Sequence, residues 1–253
     1  MEKLLSKIKS KDPIFREVAV FVESKDLQSL PNMSHLATIL LDCIENYQPL
    51  ELFPVVDLLR LLVQNPRASA LILEAPQNLV GALFTNLLSS NVNRPFQLSL
   101  VTLQALCNLF STPLFPPILC TDLASEAVHL MTRELASSNE SVRLAATSLA
   151  FNISSYLKYE PNPRQKLDGP RLDLFAALLY AVEQEIQSTE VLKGQIYALA
   201  MLYYCTDDNE IIELVNVLGA VEMLKAKTQL AVVKDSKNGI TGMCKELILL
   251  FES

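Results

Sequence analysis

The chain has 253 residues, half of them hydrophobic, with a mean hydropathy of +0.27, a formal net charge of −7 and a pI of about 5.0. That balance argues against a broad nucleic-acid-binding face, which needs clustered lysine and arginine. Low glycine, abundant Leu, Ala and Glu, and the absence of β-branched runs bounded by hairpin turns make the chain all-α.

The N-terminus, "MEKLLSKIKSKDPIFREV", is charged and lacks the uninterrupted apolar core of a signal peptide. Residues 1–50 are read as N-terminal capping helices of a single domain, 1–253, whose core repeats occupy 51–253. "DLLRLLVQ" (57–64) is the first strongly apolar helix, broken by Pro66. Helical segments around Ala68–Leu73 and Asn78–Leu88 follow, then a loop, "SSNVNRP". From Pro95 to Thr121 no charged residue occurs. Gln97, Gln104, Asn108 and three prolines (Pro113, Pro116, Pro117) interrupt that stretch. It therefore reads as two buried helical pieces joined by a loop, not as a membrane span.

A helix over Leu123–Leu135 comes next, then "ASSNESV", where Ser138 or Asn139 is placed to cap a helix with Glu140 in its first turn. That helix carries "AATSLAFN" (145–152). A polar, Pro-rich insertion, "KYEPNPRQKLDGPR", separates it from "YALAMLYY" (197–204).

Aligned on the polar residue that closes each one, the four apolar helices end at Gln64, Asn108, Asn152 and Tyr204, spaced 44, 44 and 52 residues apart. Periods of about 40–47 residues are typical of HEAT and armadillo repeats. The longer last interval is assigned to the insertion. The expected architecture is an armadillo/HEAT-like right-handed α-solenoid of about five to six repeats, expected to be monomeric.

Stacked repeats set equivalent helices side by side. On each, the closing residue and the one four before it share a stripe: Arg60/Gln64, Gln104/Asn108, Ser148/Asn152 and Ala200/Tyr204. Lys193 and Tyr197 fall near the last stripe. Carboxamides both donate and accept, so such a ladder suits the backbone of an extended peptide. Arg60 and Lys193 would favour an acidic or carboxylate-ended segment, and Tyr197 and Tyr204 an apolar side chain. The alternative is that these residues are the solvated flank of amphipathic helices. Arg143, nine residues before Asn152, points to roughly the opposite side of its helix.

The chemistry of catalysis is sparse. His35 and His129 are far apart, no G-x-S-x-G, G-x-G-x-x-G or P-loop occurs, and no His, Cys and carboxylate cluster has metal spacing. Cys43, Cys107, Cys120, Cys205 and Cys244 are scattered in apolar pattern without a C-x-x-C, which suits small hydrophobes in a reducing compartment. Cys107 with His129 is the one imaginable thiol–imidazole pair. The expectation is a non-enzyme without cofactor or metal, cytoplasmic and/or nuclear.

Several segments resemble one family. "FPVVDLLRL" is similar to the F-P-x-x-D-[IL]-L-R-L segment of the PUL domain, the C-terminal armadillo-like module of the phospholipase-A2-activating-protein family. "LQALCNLF" resembles its helix ending in Cys-Asn, "ATSLAFN" its A-T-L-A-x-N, and "CKELILLF" its closing helix. The resemblance runs from about Leu52 to Phe251. It implies a partner: the acidic C-terminal tail of a hexameric AAA+ ATPase of the valosin-containing-protein type, which extracts ubiquitinated proteins, bound in a basic concave groove. Neither nucleic acid nor membrane is implied.

Position by position, the resemblance places Arg60 at the groove arginine and Asn108 and Asn152 at the ladder asparagines. Gln104 stands where arginine is frequent, and Gly194, next to Lys193, where a second groove arginine falls. Such domains occur fused to Trp-Asp propellers and to isopeptidase or thioredoxin-like domains; this chain has no tryptophan and no C-x-x-C.

Overall fold

The computed structural model describes residues 1–26, 28, 30–74, 81–82, 95–159, 168–204, 209–230 and 239–252. Among them are fourteen helices and no strand. In chain order these are α1 (Glu2–Leu5), α2 (Ile14–Ser24), α3 (Met33–Asn46), α4 (Pro49–Leu62), α5 (Pro66–Leu73), α6 (Phe96–Leu109), α7 (Phe115–Thr121) and α8 (Ala124–Leu135). They continue with α9 (Glu140–Tyr159), α10 (Asp168–Gln184), α11 (Thr189–Tyr204), α12 (Asn209–Val217), α13 (Ala220–Lys227) and α14 (Ile240–Glu252). The all-α reading holds. The expected helix over 78–88, apart from the helical Gly81 and Ala82, the loop "SSNVNRP" up to Arg94, the bulk of the insertion (160–167) and Cys205 lie outside the described residues.

Helix ends follow local chemistry. Asn65 caps α5 by accepting from the backbone N–H of Arg67 (3.0 Å) and Ala68 (3.2 Å), with Pro66 in the first turn, where its missing N–H costs nothing. Asn32 caps α3 through the His35 N–H. Of the two residues expected to cap α9, Asn139 does so, accepting from the Val142 N–H at 3.2 Å. Pro54 sits inside α4; the carbonyl it leaves unpaired belongs to Leu50, which is exposed and open to water. Gly219, at φ +60°, ends α12 and opens α13 in a left-handed conformation that favours glycine.

The contacts gather into two compact units, Met1–Leu130 and Met131–Ser253. In the first, α4 and α6 pack side by side, with α2 and α3 against α4. Leu52, Val55, Leu59, Leu62, Leu98, Leu103 and Leu106 are all buried there. The uncharged stretch 95–121 forms α6 and α7 with a turn between, as expected. Among the described residues no helix is long and apolar enough to cross a membrane.

In the second unit α9 and α11 form the tightest helix pair, α10 and α14 pack against α11, and α13 packs against α14, α12 and α10. Phe251 of α14 stacks edge-on against Tyr203 of α11 (4.7 Å between ring centres) and lies 6.2 Å from Phe175 of α10. The closing "CKELILLF" helix thus supplies core to this unit. Side-by-side packing of α4 with α6 and of α9 with α11 is what helices from successive repeats of a solenoid do.

Candidate peptide-binding surfaces

In the first unit the candidates lie on α4 and α6. Arg60 grips Asp57 one turn earlier: Nε donates to Oδ1 at 2.8 Å, and Nη2 lies 2.7 Å from the same oxygen. Both side chains are about a fifth exposed (23% and 19%), so the pair is accessible but electrically self-neutralising. The Asp-x-x-Arg spacing in "FPVVDLLRL" is therefore an i,i+3 ion pair on one helix.

Asn108 reaches the same place from α6. Its Nδ2 donates to the backbone carbonyl of Arg60 at 3.0 Å. That carbonyl lies in the last turn of α4, where the Gln64 N–H turns to Leu61 (3.4 Å) instead of continuing the α-helical pattern. Asn108 satisfies an acceptor that the helix end leaves open. Gln64 is exposed and Gln104 half-buried. The structure thus brings Arg60 and Asn108 into contact, with Asn108 bonded inward.

In the second unit the candidates lie on α9 and α11. A Cβ placed on Gly194 would sit 2.7 Å from Thr147 Cγ2. Farther along, Lys158 Nζ sits 4.6 Å above the Tyr204 ring. These contacts pair residues 47 and 46 apart in sequence, so α9 and α11 run parallel in a constant register. Asn152 is consequently level with Ala198 and Leu199, and Tyr204 lies more than a turn farther along than the spacing of 52 implied.

The outward stripes of the two helices carry mixed chemistry. On α9 they hold Ser148, Phe151 and Lys158, with Asn152 and Ser155 half-buried beside them. On α11 they hold Lys193, Tyr197, Ala200, Met201 and Tyr204. Tyr204 is 65% exposed, Tyr197 46% and Phe151 39%. Lys193 Nζ lies 5.9 Å from the Tyr197 ring, so two ammonium–tyrosine stacks mark this surface. Ser148 turns its hydroxyl back to the Leu144 carbonyl (2.9 Å).

Lys158, Phe151 and Asp57 were not singled out from sequence. Exposed Phe151 follows the α9 stripe of Ser141, Leu144, Ser148, Ser155 and Lys158, a 3.5-residue pattern visible in the chain. Lys158 was assigned to the insertion, although it belongs to the last turn of α9.

Arg143 points away from these stripes, as expected, and is buried. Nε donates to Glu185 Oε2 (2.7 Å), Nη2 to Oε1 (3.3 Å), and Nη1 to the carbonyls of Ser137 (3.0 Å) and Ser138 (3.3 Å). Glu185 Oε1 also accepts from the N–H groups of Gln187 and Ser188. Burial pushes the Glu185 carboxyl up, but Arg143 and the two backbone donors outweigh it and hold the group below the ordinary carboxylate value. This clasp ties the α8–α9 turn to the α10–α11 turn. It floors a cleft of about 320 Å³ with Tyr180 at its lip.

The imagined thiol–imidazole pair has the wrong chemistry. Burial pushes the Cys107 thiol up to about 12, so it rests protonated at neutral pH, and His129 is exposed on α8. Cys43, Cys120 and Cys244 are buried free thiols. His35 Nε2 lies 3.3 Å from both carboxylate oxygens of Asp12, a surface ion-pair geometry. No group of three His, Cys, Asp or Glu able to hold a metal occurs among the described residues.

An all-α fold of side-by-side repeat helices, carrying exposed aromatic and cationic stripes, defines a protein-interaction module. The family model of the PUL domain matches residues 1–246, and the chain belongs to the PUL domain family. No curated protein matches the chain.

Proposed function

We propose that the chain is an adaptor that binds the acidic C-terminal tail of a hexameric AAA+ ATPase of the valosin-containing-protein type, in ubiquitin-dependent protein turnover. The observation that carries this reading is the α9/α11 surface, where Lys158 and Lys193 sit beside exposed tyrosines in a protein of net charge −7. Local cations in an acidic chain select an acidic ligand over general polyanions, and the aromatic rings hold its apolar side chains. Membership of the PUL family supports the assignment. On this reading the protein acts as a monomer without cofactor, in the cytoplasm and/or nucleus.

The roles of the candidates differ. Lys193, Tyr197 and Tyr204 contact the tail directly, with Ser148 and Asn152 beside them. In the first unit, taken by itself, Arg60 is a candidate contact once its carboxylate partner Asp57 is outcompeted, with Gln64 and Gln104 as further candidates on α4 and α6. Fluorescence polarisation with a labelled C-terminal tail peptide tests this. Binding in the micromolar range that strengthens at low salt and weakens in Lys193→Glu and Arg60→Glu supports the adaptor. Absence of binding at hundreds of micromolar refutes it.

A second reading has its own observation. Gly194 stands where a groove arginine was implied and packs against Thr147, and Arg60 is already neutralised by Asp57. Both lower the positive charge, which suits an armadillo-type scaffold that takes a less acidic extended peptide. A peptide panel of graded charge distinguishes the two by where affinity is highest.

A further inference from the structure

We propose that the cleft at the C-terminal ends of α8 and α10 is a second peptide site, separate from the α9/α11 surface. It takes an extended, uncharged segment of a partner protein, anchored by one apolar or aromatic side chain.

The residues that line the cleft all belong to the second unit. On α10 they are Ala177, Tyr180, Ala181 and Gln184, at i, i+3, i+4 and i+7, one face of the helix. Leu135 at the end of α8 and Ala136 just beyond it form the opposite wall. Three of these six side chains stop at Cβ, and they leave about 320 Å³ that larger residues would fill. Space of that size is within the range of ligand pockets.

The floor excludes a charged ligand. Arg143 and Glu185 are the charged residues in the lining, and each is held by the other. Every N–H of the guanidinium has an acceptor, in Glu185, Gln187 or the carbonyls of Ser137 and Ser138. The two side chains are only 9% and 2% exposed. A charge on the ligand would lose water there without gaining a partner, which is unfavourable.

The mouth is apolar and neutral-polar by turns. Tyr180 is 57% exposed at the lip, and Ile186, 61% exposed, stands between two residues that line the cleft. Apolar surface that continues past the opening calls for a partner larger than a small molecule. Ser138, Gln184 and Gln187, all exposed, add hydroxyl and carboxamide groups at the rim. Those groups suit the backbone N–H and C=O of an extended segment, whereas a helix keeps its own paired internally. This chemistry is the reverse of the cationic α9/α11 surface, so the two sites do not select the same ligand.

The test is an NMR chemical-shift titration of the whole chain with four capped hexapeptides, acetyl-Gly-Ser-X-Gly-Ser-Gly-amide, where X is Phe, Leu, Lys or Glu. The phenylalanine and leucine peptides should shift the resonances of Ala177, Tyr180 and Ala181. They should bind about tenfold tighter than the lysine and glutamate peptides, as burial of one apolar side chain allows. Ala181→Leu fills the cleft and should abolish this binding. Tyr180→Ser alters an exposed ring without disturbing the core and should weaken it about three- to tenfold. Equal binding of all four peptides, no binding at millimolar concentration, or unchanged binding in Tyr180→Ser overturns the proposal. Benzyl alcohol binding as tightly as the phenylalanine peptide also overturns it, in favour of a small-molecule pocket. Displacement of the phenylalanine peptide by the ATPase tail peptide does the same, because the cleft would then belong to the tail site.

Discussion

Asn108 of α6 donates its carboxamide N–H to the backbone carbonyl of Arg60 on α4, 3.0 Å away and 48 residues earlier in the chain. A side chain expected to read a peptide backbone reads, through one of its N–H groups, the backbone of its own neighbour. Side chains on a helix lean toward its N-terminus, which explains why Asn108 reaches Arg60 and not Gln64, its partner at a spacing of 44. Replacement by leucine strands the Arg60 carbonyl where water has partial access. Asn108→Leu should cost about 1 kcal/mol in urea unfolding, while affinity for the tail peptide stays within about twofold. A large loss of affinity with unchanged stability would assign Asn108 to the ligand instead.

Asp57 restrains the charge of Arg60. Nε and Nη2 of Arg60 both lie on one oxygen of this carboxylate. Asp57→Asn removes the negative charge while keeping the shape, and should raise affinity for an acidic peptide by about two- to fivefold at low salt. The gain should shrink as ionic strength rises toward 0.5 M, because the interaction is exposed. Arg60→Glu in the same background should erase it.

The helices were legible because their apolar spacing is strong and their breaks are chemical: Pro66, the prolines near 116 and the Asn139 cap follow local rules. The candidate site was legible only in part. Periodicity places Gln104, Asn108, Ser148 and Asn152 on polar stripes but does not say what each atom bonds. Asn108 and Ser148 turn to carbonyls, one on a neighbouring helix and one on its own. Register was the other hidden quantity. Counting from Asn152 to Tyr204 makes them equivalents at a spacing of 52, while the Thr147–Gly194 and Lys158–Tyr204 contacts set the spacing of paired positions at 46 to 47 residues. No single-helix pattern carries that information, so the pairing of Lys158 with Tyr204 is not readable from the sequence.

Gly194 tests that register directly. Alanine gains helix propensity worth about 1 kcal/mol over glycine, yet its Cβ would lie 2.7 Å from Thr147 Cγ2. The packing conflict should dominate in Gly194→Arg, destabilising the chain by about 1–3 kcal/mol. Thr147→Ala removes the opposing methyl and should recover much of that loss. A thermal-denaturation double-mutant cycle with a coupling energy near zero would show that the two helices do not meet at these residues.

Gln195 is wholly buried on α11, and among the described residues neither its Oε1 nor its Nε2 has a hydrogen-bond partner. Desolvating an unpaired amide is unfavourable, whereas methionine has a similar length and no such requirement. Gln195→Met should raise stability by about 1–3 kcal/mol, seen as a higher melting temperature with unchanged peptide binding. A lower melting temperature would indicate that an internal water serves the amide and is lost with it.

The Arg143–Glu185 clasp makes stability depend on acid. Glu185 is held below the ordinary carboxylate value: burial opposes ionisation, but Arg143 and the N–H groups of Ser188 and Gln187 favour it more. A depressed folded-state pKa means that the unfolded chain takes up the proton first as pH falls. The clasp is therefore fully stabilising above about pH 4.3, the unfolded value, and its contribution drains away as pH falls toward the lower folded value. Glu185→Gln keeps a neutral acceptor but leaves the buried guanidinium without its counter-charge, which should cost about 3–5 kcal/mol at pH 7. That cost should narrow on acidification, so the two stability curves converge below about pH 4. Curves that stay parallel from pH 7 to pH 3 would show that Glu185 does not carry the charge that holds these turns together.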